Sequence, residues 1–228
     1  MERERASYSP LFLTEFALFL TSLLISNIIA GKLIQVAGIV LPAAVILFPI
    51  TYILGDVFTE VYGFQRTRII IWLGFAANLL MSLLFLATIA LPYPQFFKDQ
   101  GAFATVLGMT PRIVFASLVG YWAGEFGNSI VLSIMKKTMG GKYLWMRTIG
   151  STIIGEGLDT VLFIGIAFWG GMPTSALLQM MLAQYLFKVL YEALFTPLTY
   201  FVVGRVKKLE GVDVYDNGVV YNPFRLRK

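Results

Sequence analysis

The chain predicts an all-α, polytopic membrane protein with six transmembrane helices, on three observations. Hydrophobic residues fill 57% of its 228 positions and charged residues only 14%, against about 25% charged in soluble domains. Mean hydropathy is +0.75. Six apolar runs approach or exceed the ~20 residues needed to cross about 30 Å of hydrocarbon.

Leu11–Ala30 is the first run. Glu2 and Glu4 offset Arg3 and Arg5 ahead of it, and its length is that of a span, so it reads as a retained helix rather than a cleaved leader. Ala37–Leu54 is short and carries Pro42 and Pro49; Arg68–Leu91 follows, with Asn78 and Ser82 expected to join helices. Ile113–Met135 and Ile149–Trp169 are the fourth and fifth runs. Ala176–Val203 is the longest, and Pro197 near its end predicts a kink or tilt. Residues 1–204 then form the transmembrane domain and 205–228 a cytoplasmic tail, in which Val214–Tyr221 predicts a short hairpin about Asn217-Gly218.

Lysine and arginine set the orientation. Fourteen of the 18 fall on one side: in the N-terminal segment, after runs two and four, and in the tail. Lys32, Lys98 and Arg112 fall on the other, and Lys188 lies within the last run. This alternation predicts cytoplasmic termini, and it explains the net charge of +5 without nucleic-acid binding. Trp72, Trp145 and Trp169 mark span ends. The runs leave no room for a separate catalytic domain, so an enzyme is not expected. Without Cys or His, thiolate and imidazole chemistry are excluded, and no metal or cofactor is expected.

The informative residues are charges inside apolar runs: Glu15, Glu125, Glu156, Asp159, Glu192 and the cation Lys188, with Asp56 and Glu60 at the end of run two. A central charge costs about 2.5–3.5 kcal/mol on insertion scales unless it faces a cavity or partner. Tyr121, Glu125 and Asn128 share one helical face with Trp122 at its edge; Thr152, Glu156, Asp159 and Phe163 form another stripe; Gln184, Lys188, Tyr191 and Glu192 a third. Such stripes suit a flat polar heterocycle, its edges read by amides and carboxylates and its faces stacked on rings. Simpler readings stand beside this one. Lys188 and Glu192 are spaced for an ion pair on one helix, Asp56 and Glu60 lie near Arg66 and Arg68, and Glu15 is close to an interface. Gly55-Asp56, Gly124-Glu125 and Gly155-Glu156 repeat a glycine beside each acid, which lets helices approach closely there.

These segments resemble the queuosine precursor transporter family, also called the vitamin uptake transporter family, of bacterial and archaeal plasma membranes. The likeness rests on Gly55-Asp56-Val57-Phe58-Thr59-Glu60-Val61-Tyr62-Gly63 followed by Arg66, and on Gly124-Glu125-Phe126-x-Asn128-Ser129. Arg147-Thr148-Ile149-Gly150-Ser151-Thr152 running into Gly155-Glu156-x-x-Asp159, Lys188-x-x-Tyr191-Glu192 and Asp213-Val214-Tyr215-Asp216 extend it over nearly the whole chain. The resemblance implies import of the 7-deazaguanines preQ0 and preQ1 for tRNA queuosine salvage. Residue pattern alone reaches a transporter for a small polar solute.

Together these give an expected substrate site of Tyr121, Trp122, Glu125, Asn128, Glu156, Asp159, Gln184, Tyr191, Asp56 and Glu60, with Lys188, Glu192 and Arg66 in structural pairing or gating. The alternative is a substrate-binding membrane subunit energised by an ATPase; that module and a homo-oligomer stay open as partners beside the lipid bilayer. An intramembrane aspartyl protease is disfavoured, because residues 155–159 read Gly-Glu-Gly-Leu-Asp and lack its Gly-x-Gly-Asp setting.

Overall fold

The computed structural model describes residues 8–30, 32–36, 39–108, 111–171 and 173–225. The charges at residues 2–5, Arg227 and Lys228 lie outside them. Helix α1 spans Pro10–Ile29, and Ser9 caps it by accepting from the Phe12 N–H at 3.0 Å. An antiparallel ribbon follows, β1 (Leu33–Val36) against β2 (Ile39–Pro42), with Leu33 opposite Pro42. A 3₁₀ turn (Ala43–Ile46) leads into α2 (Phe48–Val57), which continues as a π turn over Phe58–Tyr62.

The expected second span, Ala37–Leu54, is therefore not one helix. Pro42 closes the ribbon and Pro49 occupies the first turn of α2, the place in a helix where a missing N–H costs nothing. The long helices follow: α3 (Phe64–Ala90), α5 (Pro111–Thr138), α6 (Leu144–Phe168) and α7 (Thr174–Glu210). A short α4 (Gln100–Leu107) sits between α3 and α5, outside the expected runs. Among the described residues, five helices are long and apolar enough to cross a membrane. Helix α7 runs continuously through Pro197, and its 37 residues, at about 1.5 Å each, outreach the hydrocarbon.

Residues 53–64 are buried without interruption, which makes the α2 segment the centre of the molecule. Its Ile53, Leu54, Val57, Phe58, Val61 and Tyr62 pack with Phe12 and Phe19 of α1 and Val203 and Val206 of α7. Asn27 of α1 donates to Asn78 of α3 at 2.8 Å, the expected inter-helix contact. Glycines bring α5 and α6 together: a Cβ on Gly155 would lie 2.7 Å from Asn128 Cβ and 2.8 Å from the Gly124 carbonyl. Arg112 at the start of α5 donates to the Ile166 and Trp169 carbonyls at the end of α6.

The expected tail hairpin does not form. Gly218 turns at φ +77° after Asn217, but no strands pair there among the described residues. The segment instead lies back on the helices, because its polar groups find partners in them. Val214 N–H donates to the Val61 carbonyl, and Trp72 Nε1 to the Pro223 carbonyl, at 3.0 and 2.9 Å. Arg68 Nη1 donates to the Asn222 carbonyl at 3.0 Å. Asp216 accepts from the Phe64 N–H at 2.9 Å and from Ser133, capping α3 from 152 residues away. Gly63, at φ +83°, leaves no side chain for a local cap, and a Cβ on it would meet Val214 at 2.7 Å. Trp72 is thus engaged by the tail, while Trp145 and Trp169 are exposed.

Candidate functional site: an acid-rich cavity between the helices

A cavity of about 230 Å³ opens among α1, α2, α3, α5, α6 and α7. Seven of the ten residues expected at the site line it: Asp56, Tyr121, Glu125, Asn128, Glu156, Asp159 and Gln184. Lys188 and Glu192 line it too. The helical stripes read from α5, α6 and α7 converge here because the glycine contacts hold α5 on α6, and α2 presents Gly55 toward Glu125. A Cβ on Gly55 would sit 3.8 Å from Glu125 Oε2.

The pairing differs from the expected one. Lys188 does not pair with Glu192 one turn away. Its Nζ reaches across to α6, 2.6 Å from Glu156 Oε2 and 2.5 Å from Asp159 Oδ2. Two acids with no cation within a turn or two on their own helix thus share one from the next. Asp56 pairs with neither Arg66 nor Arg68; its Oδ1 accepts from Asn128 Nδ2 at 3.3 Å. Four buried acceptor atoms lining the cavity have no hydrogen-bond partner among the described residues; Glu156 Oε2 is ion-paired with Lys188, which leaves Asp56 Oδ2, Asn128 Oδ1 and Glu192 Oε1. Buried acceptors are ordinarily satisfied, and these three point to hydrogen-bond donors as their missing partners.

Three expected residues lie elsewhere. Trp122 packs on Phe126, Trp72 and the tail's Phe224, with ring centroids 5.2, 6.2 and 5.7 Å away, because its edge of α5 faces α3 rather than the cavity. Tyr191 donates to the Val45 carbonyl at 2.9 Å and stacks on Phe187 and Phe195. Glu60 is fully buried in a cluster of cations: it pairs with Arg147, with Lys207 at 2.8 Å and with Lys136 at 3.7 Å. Lys136 and Lys207 also hold Asp213 of the tail. Arg66 makes none of these ion pairs and lies over the rings of Tyr8, Phe12 and Tyr62 at 5.8–6.0 Å. Glu15 is buried and accepts from Tyr62 Oη at 2.8 Å.

The sequence reading missed Tyr52, Asn27 and Ser117, which also line the cavity. Tyr52 precedes Asp56 by one helical turn, a spacing that could have revealed it. Asn27 and Ser117 are isolated polar residues in apolar runs and carry little signal.

With this geometry in place, comparison with known proteins is specific. Residues 42–202, more than two-thirds of the chain, match the family model described as "Putative vitamin uptake transporter". The chain belongs to that family. As a vitamin uptake transporter family member it is a membrane transporter, not an enzyme, and its helices make it a multi-pass protein of the plasma membrane. A "Probable queuosine precursor transporter" of Bacillus subtilis (strain 168) is 24% identical over 176 residues, covering 77% of each chain. A "Queuosine precursor transporter" of Escherichia coli (strain K12) is 26% identical over 151 residues, covering 65% of this chain and 66% of its own. No solved structure matches this family member.

Proposed function

We propose that this transporter imports queuosine precursors, the 7-deazaguanines preQ0 and preQ1, through six crossings with both termini cytoplasmic. The observation that carries this reading is the cavity with its unpartnered acceptors Asp56 Oδ2, Asn128 Oδ1 and Glu192 Oε1. A 7-deazaguanine offers N1–H and 2-amino donors side by side, a pair one carboxylate accepts together. Glu125, which lines the cavity, takes that edge in this reading. Gln184 supplies an amide for the ring carbonyl, and Tyr52, Tyr121 and Phe163 supply ring surfaces in the places first given to Trp122 and Tyr191. The names of both relatives support the same substrate class.

For the topology, Ser9 Oγ donates to Glu210 at 2.7 Å, so the start of α1 adjoins the end of α7. Tyr62 donates to Glu15 near the start of α1. That contact supports residues 30–62 returning across the membrane as the sixth crossing, with ribbon, 3₁₀ turn and α2 together replacing a simple helix. The lysine and arginine alternation supports the same orientation.

The test uses cells unable to make or import these precursors. Expression of the chain, with preQ0 or preQ1 supplied outside, is expected to restore queuosine in tRNA. Absence of restoration with either compound would overturn the proposal.

A further inference from the structure

The cavity has two electrostatic halves. In one, Lys188 is paired with both Glu156 and Asp159, at 2.6 and 2.5 Å. The other holds Asp56, Glu125 and Glu192, and no ion pair to any of them exists among the described residues. Glu192 is one turn from Lys188 on α7 yet loses it to α6. Asp56 and Glu192 are 2% and 1% exposed, and each presents a carboxylate oxygen that no donor reaches. A buried carboxylate without a donor is costly, and what relieves it is a positive charge with N–H groups.

Among the described residues no three acidic side chains converge closely enough to hold a metal ion. The free oxygens of Asp56 and Glu192 come from separate helices, α2 and α7, around the same cavity. An organic cation whose ammonium stands away from its ring matches this arrangement, with Glu125 left to read the ring's donor edge.

Resting on the import of 7-deazaguanines, we infer that this half of the cavity selects the precursor bearing a cationic aminomethyl arm over the neutral nitrile-bearing one, with Asp56 and Glu192 as the carboxylates that recognise its ammonium. Discrimination here is electrostatic, because arm lengths are similar and only one arm is charged. Leaving a buried acceptor unpaired penalises the nitrile.

The test measures initial uptake of both compounds by the purified full chain in proteoliposomes. Wild-type protein is expected to favour the aminomethyl compound at least tenfold in rate over KM. Glu192→Gln and Asp56→Asn are each expected to shrink that ratio at least fivefold, and Glu192→Asp to retain most of it. Uptake of both compounds without preference by the wild type overturns the selectivity and leaves the import reading standing. Uptake of neither overturns both. A ratio unchanged in variants that elute as monodisperse protein also overturns the selectivity. So does a sodium requirement, seen on replacement with choline, that Glu192→Gln abolishes at constant ratio, since it makes Glu192 an ion site. If a variant fails to fold, the wild-type ratio decides.

Discussion

Asp216 does two jobs with one carboxylate: it caps the Phe64 N–H and receives the Ser133 hydroxyl, at 5% exposure. Asp216→Ala leaves both donors unmatched and is expected to destabilise the protein by about 1–3 kcal/mol, whereas Asp216→Asn keeps an acceptor and loses less. Thermal unfolding in detergent, followed by size-exclusion chromatography, separates the two. Lys188 is the corresponding residue in the cavity. Lys188→Met deprives Glu156 and Asp159 of their shared cation, and uptake is expected to fall at least tenfold, measured in the queuosine restoration assay. These pairings were only partly legible. The sequence singled out the acids that line the cavity, Asp56, Glu125, Glu156, Asp159 and Glu192, because charge inside an apolar run is conspicuous. It chose the wrong partners, because i, i+4 spacing favours a neighbour on the same helix and says nothing of a helix packed opposite.

At the scale of elements, closeness of α5 and α6 positions most of the site. A Cβ on Gly124 would come within 2.8 Å of Asp159 Cβ and 3.1 Å of the Gly155 carbonyl. Gly124→Val is therefore expected to push α6 away, costing about 1–3 kcal/mol as overpacking and displacing Asp159 from Lys188. A lowered melting midpoint together with lost uptake checks this; a lowered midpoint with full uptake would contradict it. The glycine beside each acid was readable in the sequence. The α2 segment was not. Hydropathy recorded an apolar stretch with two prolines, but the division into ribbon, 3₁₀ turn, helix and π turn depends on where each proline falls in the hydrogen-bond ladder and on the helices that bury it. Glu60 was misassigned for a related reason: the π turn carries it past the cavity to cations from α5, α6 and α7.

Across the whole molecule, residues 213–223 bind the helices to one another at one end. Burial raises the Asp213 carboxyl, but hydrogen bonds from Lys136 and Lys207 outweigh it, so the group ionises below its ordinary range. A depressed carboxyl contributes stability that is complete above the unfolded value, about 3.9, and is lost as pH falls through the folded one. Protection of the tail from protease is thus expected to hold from neutral pH to about pH 4 and to fail in stronger acid. Asp213→Asn is expected to remove that acid limb. The hairpin expectation failed here because Asn-Gly specifies a turn but not what flanks it. Val214, Asp216 and Tyr221 find partners in helices far away in sequence. The α3 N-terminus is made early, yet the carboxylate that caps it follows 152 positions later. While the intervening helices are being inserted, Phe64 and the cations around Glu60 must wait, sheltered by water or by the insertion machinery, and a stretch made after α7 closes this part of the fold.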